Sequence, residues 1–197
     1  MNEYKESLSS QIRELYGKAT YTYVSHLKQY GRIEKLNKRI KYAQIALSAI
    51  STVGFVSKIF TNQFLITVIG AISSVVLLFI TLYYKEFNLS ETISSHRNAA
   101  DELWIIRERM ISLLTDFDIL SENEIQSKRD ELQTELAETY TKYPKTDSKS
   151  YAEAQKALQT EEEQYFADDE LDKLLPIHLR STNKMSTQKE GENNGIL

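Results

Sequence analysis

The chain has 197 residues, 24 Lys and Arg against 28 Asp and Glu, and no cysteine. The lack of cysteine excludes disulfides, thiolate metal sites and a cysteine nucleophile, and only two prolines fit a mostly helical chain. The formal net charge of −4 averages a basic first arm and an acidic last one, so it says little about partners.

Residues 1–41 place Leu8, Ile12, Leu15, Tyr16, Ala19, Tyr23, Leu27 and Tyr30 at steps of three and four, the spacing of one helix face. Gly17 and Gly31 weaken the helix locally, and Gly31 is expected to mark a bend where the chain meets the apolar region. Lys28, Arg32, Lys35, Lys38, Arg39 and Lys41 crowd the end of this arm. They read either as topology control or as contacts for anionic lipid or an anionic partner.

Residues 42–84 are apolar except for Lys58 and the polar stretch Thr61-Asn62-Gln63. A helix rises about 1.5 Å per residue, so crossing about 30 Å of hydrocarbon takes about 20 apolar residues. Residues 64–84 meet that length without a charge. Residues 42–60 meet it if Lys58 reaches the interface along its own methylene stem. The rival is a buried pair of helices in a soluble protein, but such helices keep a polar face. Residues 64–84 offer only Thr67, Ser73, Ser74 and Thr81. Tyr42 and Tyr83-Tyr84-Lys85 add interface anchors. The expectation is a transmembrane hairpin, 42–60 and 64–84, with antiparallel helices. The first span begins too late for a cleavable signal peptide and reads as a retained anchor. Cations crowd both membrane-proximal ends while the tip carries only Lys58, which places both termini in the cytoplasm.

Gln44, Ser48, Ser51, Phe55 and Lys58 share an arc of about 100° on the first span. The polar members are candidates either to line a water-filled path or to form a seam between helices. Gln44 is expected to face protein or water, since an amide is costly in lipid. Gly70-x-x-x-Ser74 on the second span is a small-residue spacing suited to close packing.

Beyond the hairpin, residues 85–177 read as a helical region outside the membrane. Glu91 to Asp118 forms one helix with an apolar seam that includes Leu103, Trp104, Met110, Ile111 and Leu114. Such a seam needs a partner helix, either the amino-terminal arm or another subunit, and these five are candidates for an oligomer contact. His96 has no second ligand at helical spacing and reads as an interface or solvated residue. Ser121-x-x-Glu124 is a capping box opening a helix to about Lys142, closed by Tyr143-Pro144. Asp147 or Ser148 can cap a third helix, Tyr151 to about Gln164, and a short helix from Asp168 to Leu175 ends at Pro176. From Ser181 onward almost nothing can be buried, so 178–197 is expected to be a disordered tail.

No glycine-rich phosphate loop is present, and His26, His96 and His178 fit no metal motif. Glu161-Glu162-Glu163 and Asp168-Asp169-Glu170 read as solvated faces. The expectation is a non-enzyme with no catalytic residue, metal or cofactor, and without direct nucleic-acid contact.

The exit Leu82-Tyr83-Tyr84-Lys85, the segment SSHRNAADELWIIRERMISLLTDF, the stretch RDELQTELAETYTKYPKTDSKSYAEAQKAL and FADDELDKLLP follow a basic helical arm and a tight hairpin. In that order they resemble the SLATT family, small two-span membrane proteins of bacterial conflict systems. The resemblance covers roughly residues 10 to 177. It departs from the expected pattern at Ala167, where a Ser or Thr cap would stand, leaving Asp168 to cap.

The resemblance implies an all-α membrane protein of the bacterial inner membrane, with a two-helix transmembrane hairpin, an amino-terminal helix and a carboxy-terminal helical bundle. It implies an effector that oligomerises and breaches the membrane when a partner sensor is triggered. That sensor would be a nucleotide-second-messenger synthase, a SLOG protein or a reverse transcriptase. The expected partners are therefore membrane lipid, further copies of the chain, and a sensor protein or nucleotide second messenger. The alternative is a membrane-anchored scaffold whose helices recruit a partner. Transport is disfavoured because neither span contains a carboxylate or a histidine.

Overall fold

The computed structural model describes residues 3–60 and 64–180. The Thr61-Asn62-Gln63 connection, residues 181–197 of the expected tail, and the side chains of Lys58, Ile59, Phe60, Asp168 and His178 lie outside the described part. Two compact units are present, Met1–Gln155 and Lys156–Leu197.

The first unit is built on α1, Glu3–Phe60, a single helix of 58 residues that is about 87 Å long at the usual rise. α1 continues through Gly31 without interruption, so the expected boundary at residue 41 is not a break in the helix. A glycine within a long helix costs only about 1 kcal/mol, which tertiary packing on either side overrides.

α2, Phe64–Phe87, runs back along α1. Asn88 then adopts the left-handed conformation, φ 37° and ψ 52°, and its carbonyl accepts from the amides of Glu91 and Thr92 to start α3, Leu89–Thr115. The interruption is one residue long, so α3 continues antiparallel along α1. Ser51 meets Ser74, His26 meets His96, and Lys5 meets the carbonyls of Asp118 and Leu120. One antiparallel register thus serves the whole length of α1.

α4, Glu122–Lys142, packs on α3 and α1. Its start is held by the Ser121–Glu124 capping box, with both reciprocal bonds made. The bundle core joins Leu8, Ile12 and Ala19 of α1, Leu103, Ile106, Met110 and Leu113 of α3, and Ile125, Leu132 and Leu136 of α4. Arg109 holds α3 to α4 through Glu131 and Glu135 at 2.7 and 2.5 Å. Arg107, almost buried, lies 5.9 Å from the rings of both Tyr16 and Tyr23, an arrangement that favours a desolvated cation.

The oligomer-seam expectation changes here. Leu103 and Met110 are fully buried against elements of the same chain, and Leu114 packs on that core. Ile111 is half-buried, and Trp104 is 48% exposed. The seam found its partner in the chain's own first arm and in α4.

α5, Ser148–Gln159, ends earlier than the expected Gln164. Asp147 caps it, accepting from the Ser150 amide at 2.7 Å. In the second unit Glu162 and Gln164 have positive φ, and the Glu163 amide donates to the Ala157 carbonyl, which closes the helix. α6 is Asp168–Leu174, followed by a 3-10 turn at Ile177–Leu179. Ala167 is the N-cap of α6 and makes no side-chain cap bond, and Asp168 is its first helical residue rather than its cap.

In the apolar part the side chains point outward. The most apolar window of each candidate spanning helix is only 11% buried, where a soluble core helix would be largely covered. Ile45, Phe64, Leu65 and Phe79 are all more than 65% exposed. Apolar surface of that extent is matched by hydrocarbon and not by water.

Met110→Ala should lower the thermal stability of the detergent-solubilised chain by an amount typical of a deleted core methionine, about 2–5 kcal/mol. Trp104→Ala should change it by less than about 1 kcal/mol. Equal losses would place both residues in one intrachain core.

Candidate functional site

Two places in the first unit combine polar groups with close packing: the seam of the hairpin, and the bundle end of α1.

At the seam, the α1 and α2 backbones touch. A Cβ added to Gly54 would lie 2.5 Å from the Gly70 Cα, and one added to Gly70 would lie 2.7 Å from the Gly54 Cα. No side chain larger than hydrogen fits at either position. The Ser51 hydroxyl donates to the Gly70 carbonyl at 3.3 Å, and the Ser74 hydroxyl lies 3.1 Å from both the Ser51 hydroxyl and the Gly70 carbonyl. The two bonds of Ser51 cross the seam, while the Ser74 contact with the Gly70 carbonyl lies within α2.

The polar arc of the first span is therefore divided. Ser51 is buried in the seam, Gln44 is half-buried, and Ser48 and Phe55 face away from α2 into the surroundings. The seam partner absent from the sequence reading is Gly54. Its signal was available, since Ser51 and Gly54 are three residues apart on one face, as Gly70 and Ser74 are four apart on the other.

At the bundle end, His26 on α1 and His96 on α3 are 4% and 1% exposed, with their Nδ1 atoms 2.9 Å apart. Of its two readings from sequence, His96 is the interface residue and not the solvated one, and it has a partner. Its partner stands 70 positions away, beyond the reach of any local pattern. Such a contact requires one Nδ1 to carry a proton and the other a lone pair, so at most one of the two rings can be cationic while it is made. Burial, with the facing imidazole adding to it, holds His26 down to about 4. Burial also lowers His96, which the nearby Asp147 partly offsets.

Beside this pair, Arg32 of α1 bonds Asp147 and reaches Ser150 Oγ at 2.9 Å, while Gln29 accepts from the Asp147 amide at 2.8 Å. The Arg32 contact, followed by the Ser150 amide, holds the Asp147 carboxyl down to about 2. Asp147 thus caps α5 and fastens it to α1 with one carboxylate. Next to these groups lies an open cavity of about 370 Å³ bordered by Thr22, His26, Tyr140, Tyr143 and Lys145. Among the described residues, no group of three or more His, Asp or Glu is placed to hold a metal.

The family model for the SMODS and SLOG-associating 2TM effector domain, family 4, matches residues 8–170. The chain belongs to this SLATT family. No curated protein and no solved structure matches it. The matched region takes in the bundle and both apolar helices, so the SLATT chain is an all-α membrane protein whose two spans form a hairpin. Its transmembrane seam is the Gly54–Gly70 contact, and its bundle is fastened to the same α1 that enters the bilayer.

Two consequences are measurable. In a Ser51→Cys/Ser74→Cys background, oxidation should join the spans within one chain of the SLATT protein. Adding Gly54→Val should abolish that cross-link, because the new methyls overlap backbone atoms that cannot yield. Cross-linking retained at the original rate would place the helices farther apart than described.

For the histidines the pH dependence has a definite sign. Both are held below the ordinary value of 6.5 when folded, so the unfolded chain binds more protons as pH falls. Their contribution is fully present above pH 6.5 and is lost between 6.5 and about 4. Thermal stability should fall across that window, and His26→Leu/His96→Leu should flatten the fall. The lowered carboxylates Glu102 and Glu124 begin to add their own loss below their ordinary value of 4.5, and Asp147 below 3.8, so the histidine share is read above 4.5.

Proposed function

We propose that this protein is a regulated pore-forming effector of a bacterial conflict system. It would sit in the inner membrane with both termini in the cytoplasm. A partner sensor, or the nucleotide signal it makes, acts on the bundle, copies of the chain associate, and the membrane loses its potential, so that the infected cell dies. The reading involves no catalysis by this chain.

The observation that carries the proposal is the unbroken α1. The same helix that presents Ile12, His26 and Arg32 to the bundle continues into the apolar span with Ser51 and Gly54. Helical backbone hydrogen bonds have no slack at residue 41, so a tilt or rotation imposed on the bundle end is transmitted to the bilayer end. A two-helix seam closed by glycine contact encloses no channel, so conduction requires several copies. Ser48, exposed on the outer face, and Gln44 beside it are then the polar groups available to line a path. Ser51 is occupied in the seam, and the side chain of Lys58 lies outside the described part.

The competing reading, a membrane-anchored scaffold, is favoured by the half-exposed Trp104 and the exposed Ile105 side by side on α3, a surface a protein partner could cover.

Co-expression with the trigger should depolarise the membrane. Gln44→Leu/Ser48→Leu should blunt depolarisation at unchanged membrane abundance. Replacing residues 42–84 with an unrelated two-span hairpin should abolish it. If killing survives the hairpin exchange, the span is a tether and the scaffold reading stands.

A further inference from the structure

We propose that the groove between the basic ends of the two spans is a binding site for one anionic phospholipid, with its phosphate on Arg39. The groove is an open cavity of about 680 Å³ between α1 and α2, bordered by Arg39, Ile40, Ala43, Phe79, Ile80, Leu82 and Tyr83. Its volume falls within the range of small-molecule sites, about 300–1,000 Å³.

Its chemistry is graded along the membrane normal. Ile40, Ala43, Phe79 and Ile80 form an apolar trough, while Arg39 stands at the lip with Tyr83 beside it. Phe79 lies one helical turn deeper than Tyr83, about 6 Å. Arg39 is exposed and makes no hydrogen bond or ion pair among the described residues. A guanidinium with five free donors, at headgroup depth above an apolar trough, is complementary to a phosphodiester attached to an acyl chain.

Charge excludes the other natural occupant, the same face of a second copy. Lys35, Lys38, Lys41 and Lys85 stand close to Arg39 and Tyr83 along the chain, with Glu34 and Glu86 among them, and Glu34 is taken up by Lys38 at 3.1 Å. A twofold contact here would set this cationic collar against itself. An anionic lipid relieves the same repulsion. The site lies where α1 leaves the bundle, so its occupant touches both spans at the point where they enter the bilayer.

The test uses the full chain in neutral detergent, with phosphatidylglycerol and phosphatidylcholine of the same acyl chains as probes. Native mass spectrometry should show one phosphatidylglycerol retained, and phosphatidylcholine stripped at the same collision energy. Arg39→Gln should weaken phosphatidylglycerol binding about fivefold, the effect of one basic residue at a membrane surface. Ala43→Trp, which fills the trough, should remove the retained lipid. Lys41→Gln, exposed on the collar but outside the groove, should have a smaller effect than Arg39→Gln.

Equal retention of the two lipids would overturn the proposal, leaving an ordinary lipid annulus. Equal weakening by Arg39→Gln and Lys41→Gln would also overturn it, leaving only diffuse attraction. The pore proposal has a separate readout in depolarisation, so failure of either is distinguishable.

Discussion

Hydrocarbon offers no hydrogen-bond partner, and that constraint governs this molecule. Backbone amides within the hydrocarbon have to be satisfied inside their own helices. The helices can then meet only by shape. Gly54 and Gly70 let the two backbones approach until no Cβ would fit between them. Ser51 and Ser74 supply the few polar bonds that such a dry contact allows. Packing of this kind does not depend on the hydrophobic effect, which has no force between helices already in lipid.

Outside the apolar region the same helix obeys different physics. Around Ile12, Leu103 and Met110 the driving force is removal of apolar surface from water, and the partner helices are α3 and α4. Asn88 makes the change of environment possible at the cost of one left-handed residue, after which α3 continues the register set by α2. The bundle's polar groups are correspondingly specific. His26 and His96 share one proton position across the α1–α3 interface, and Arg32, Asp147 and Ser150 fasten the start of α5 to α1. Each is a contact that a change of protonation or a bound partner can alter, and each acts on the helix that enters the membrane.

Membership of the SLATT family accords with this division of labour, a membrane part whose seam is closed and a bundle held to α1 by an apolar core with a few polar contacts beside it. The exposed outer faces of the spans, Ile45, Phe64 and Phe79 among them, are open to lipid or to further copies.

By itself, the sequence determined the hairpin, the helical class and the start of α4. Those follow from run length, apolar spacing and short-range caps such as Ser121–Glu124, all local properties of a chain. That α1 runs on through Gly31 as one helix was not legible locally, because a single glycine's modest cost is outweighed by packing that no local pattern displays. The seam residues of α3 were recognisable as apolar, but whether Leu103 and Met110 met this chain or another was decided by the three-dimensional arrangement alone. The same holds for Gly54 against Gly70, His26 against His96, and Arg32 against Asp147. Each pair is brought together by one long antiparallel register or by the return of α4, and sequence separation hides a contact whose energy depends only on distance.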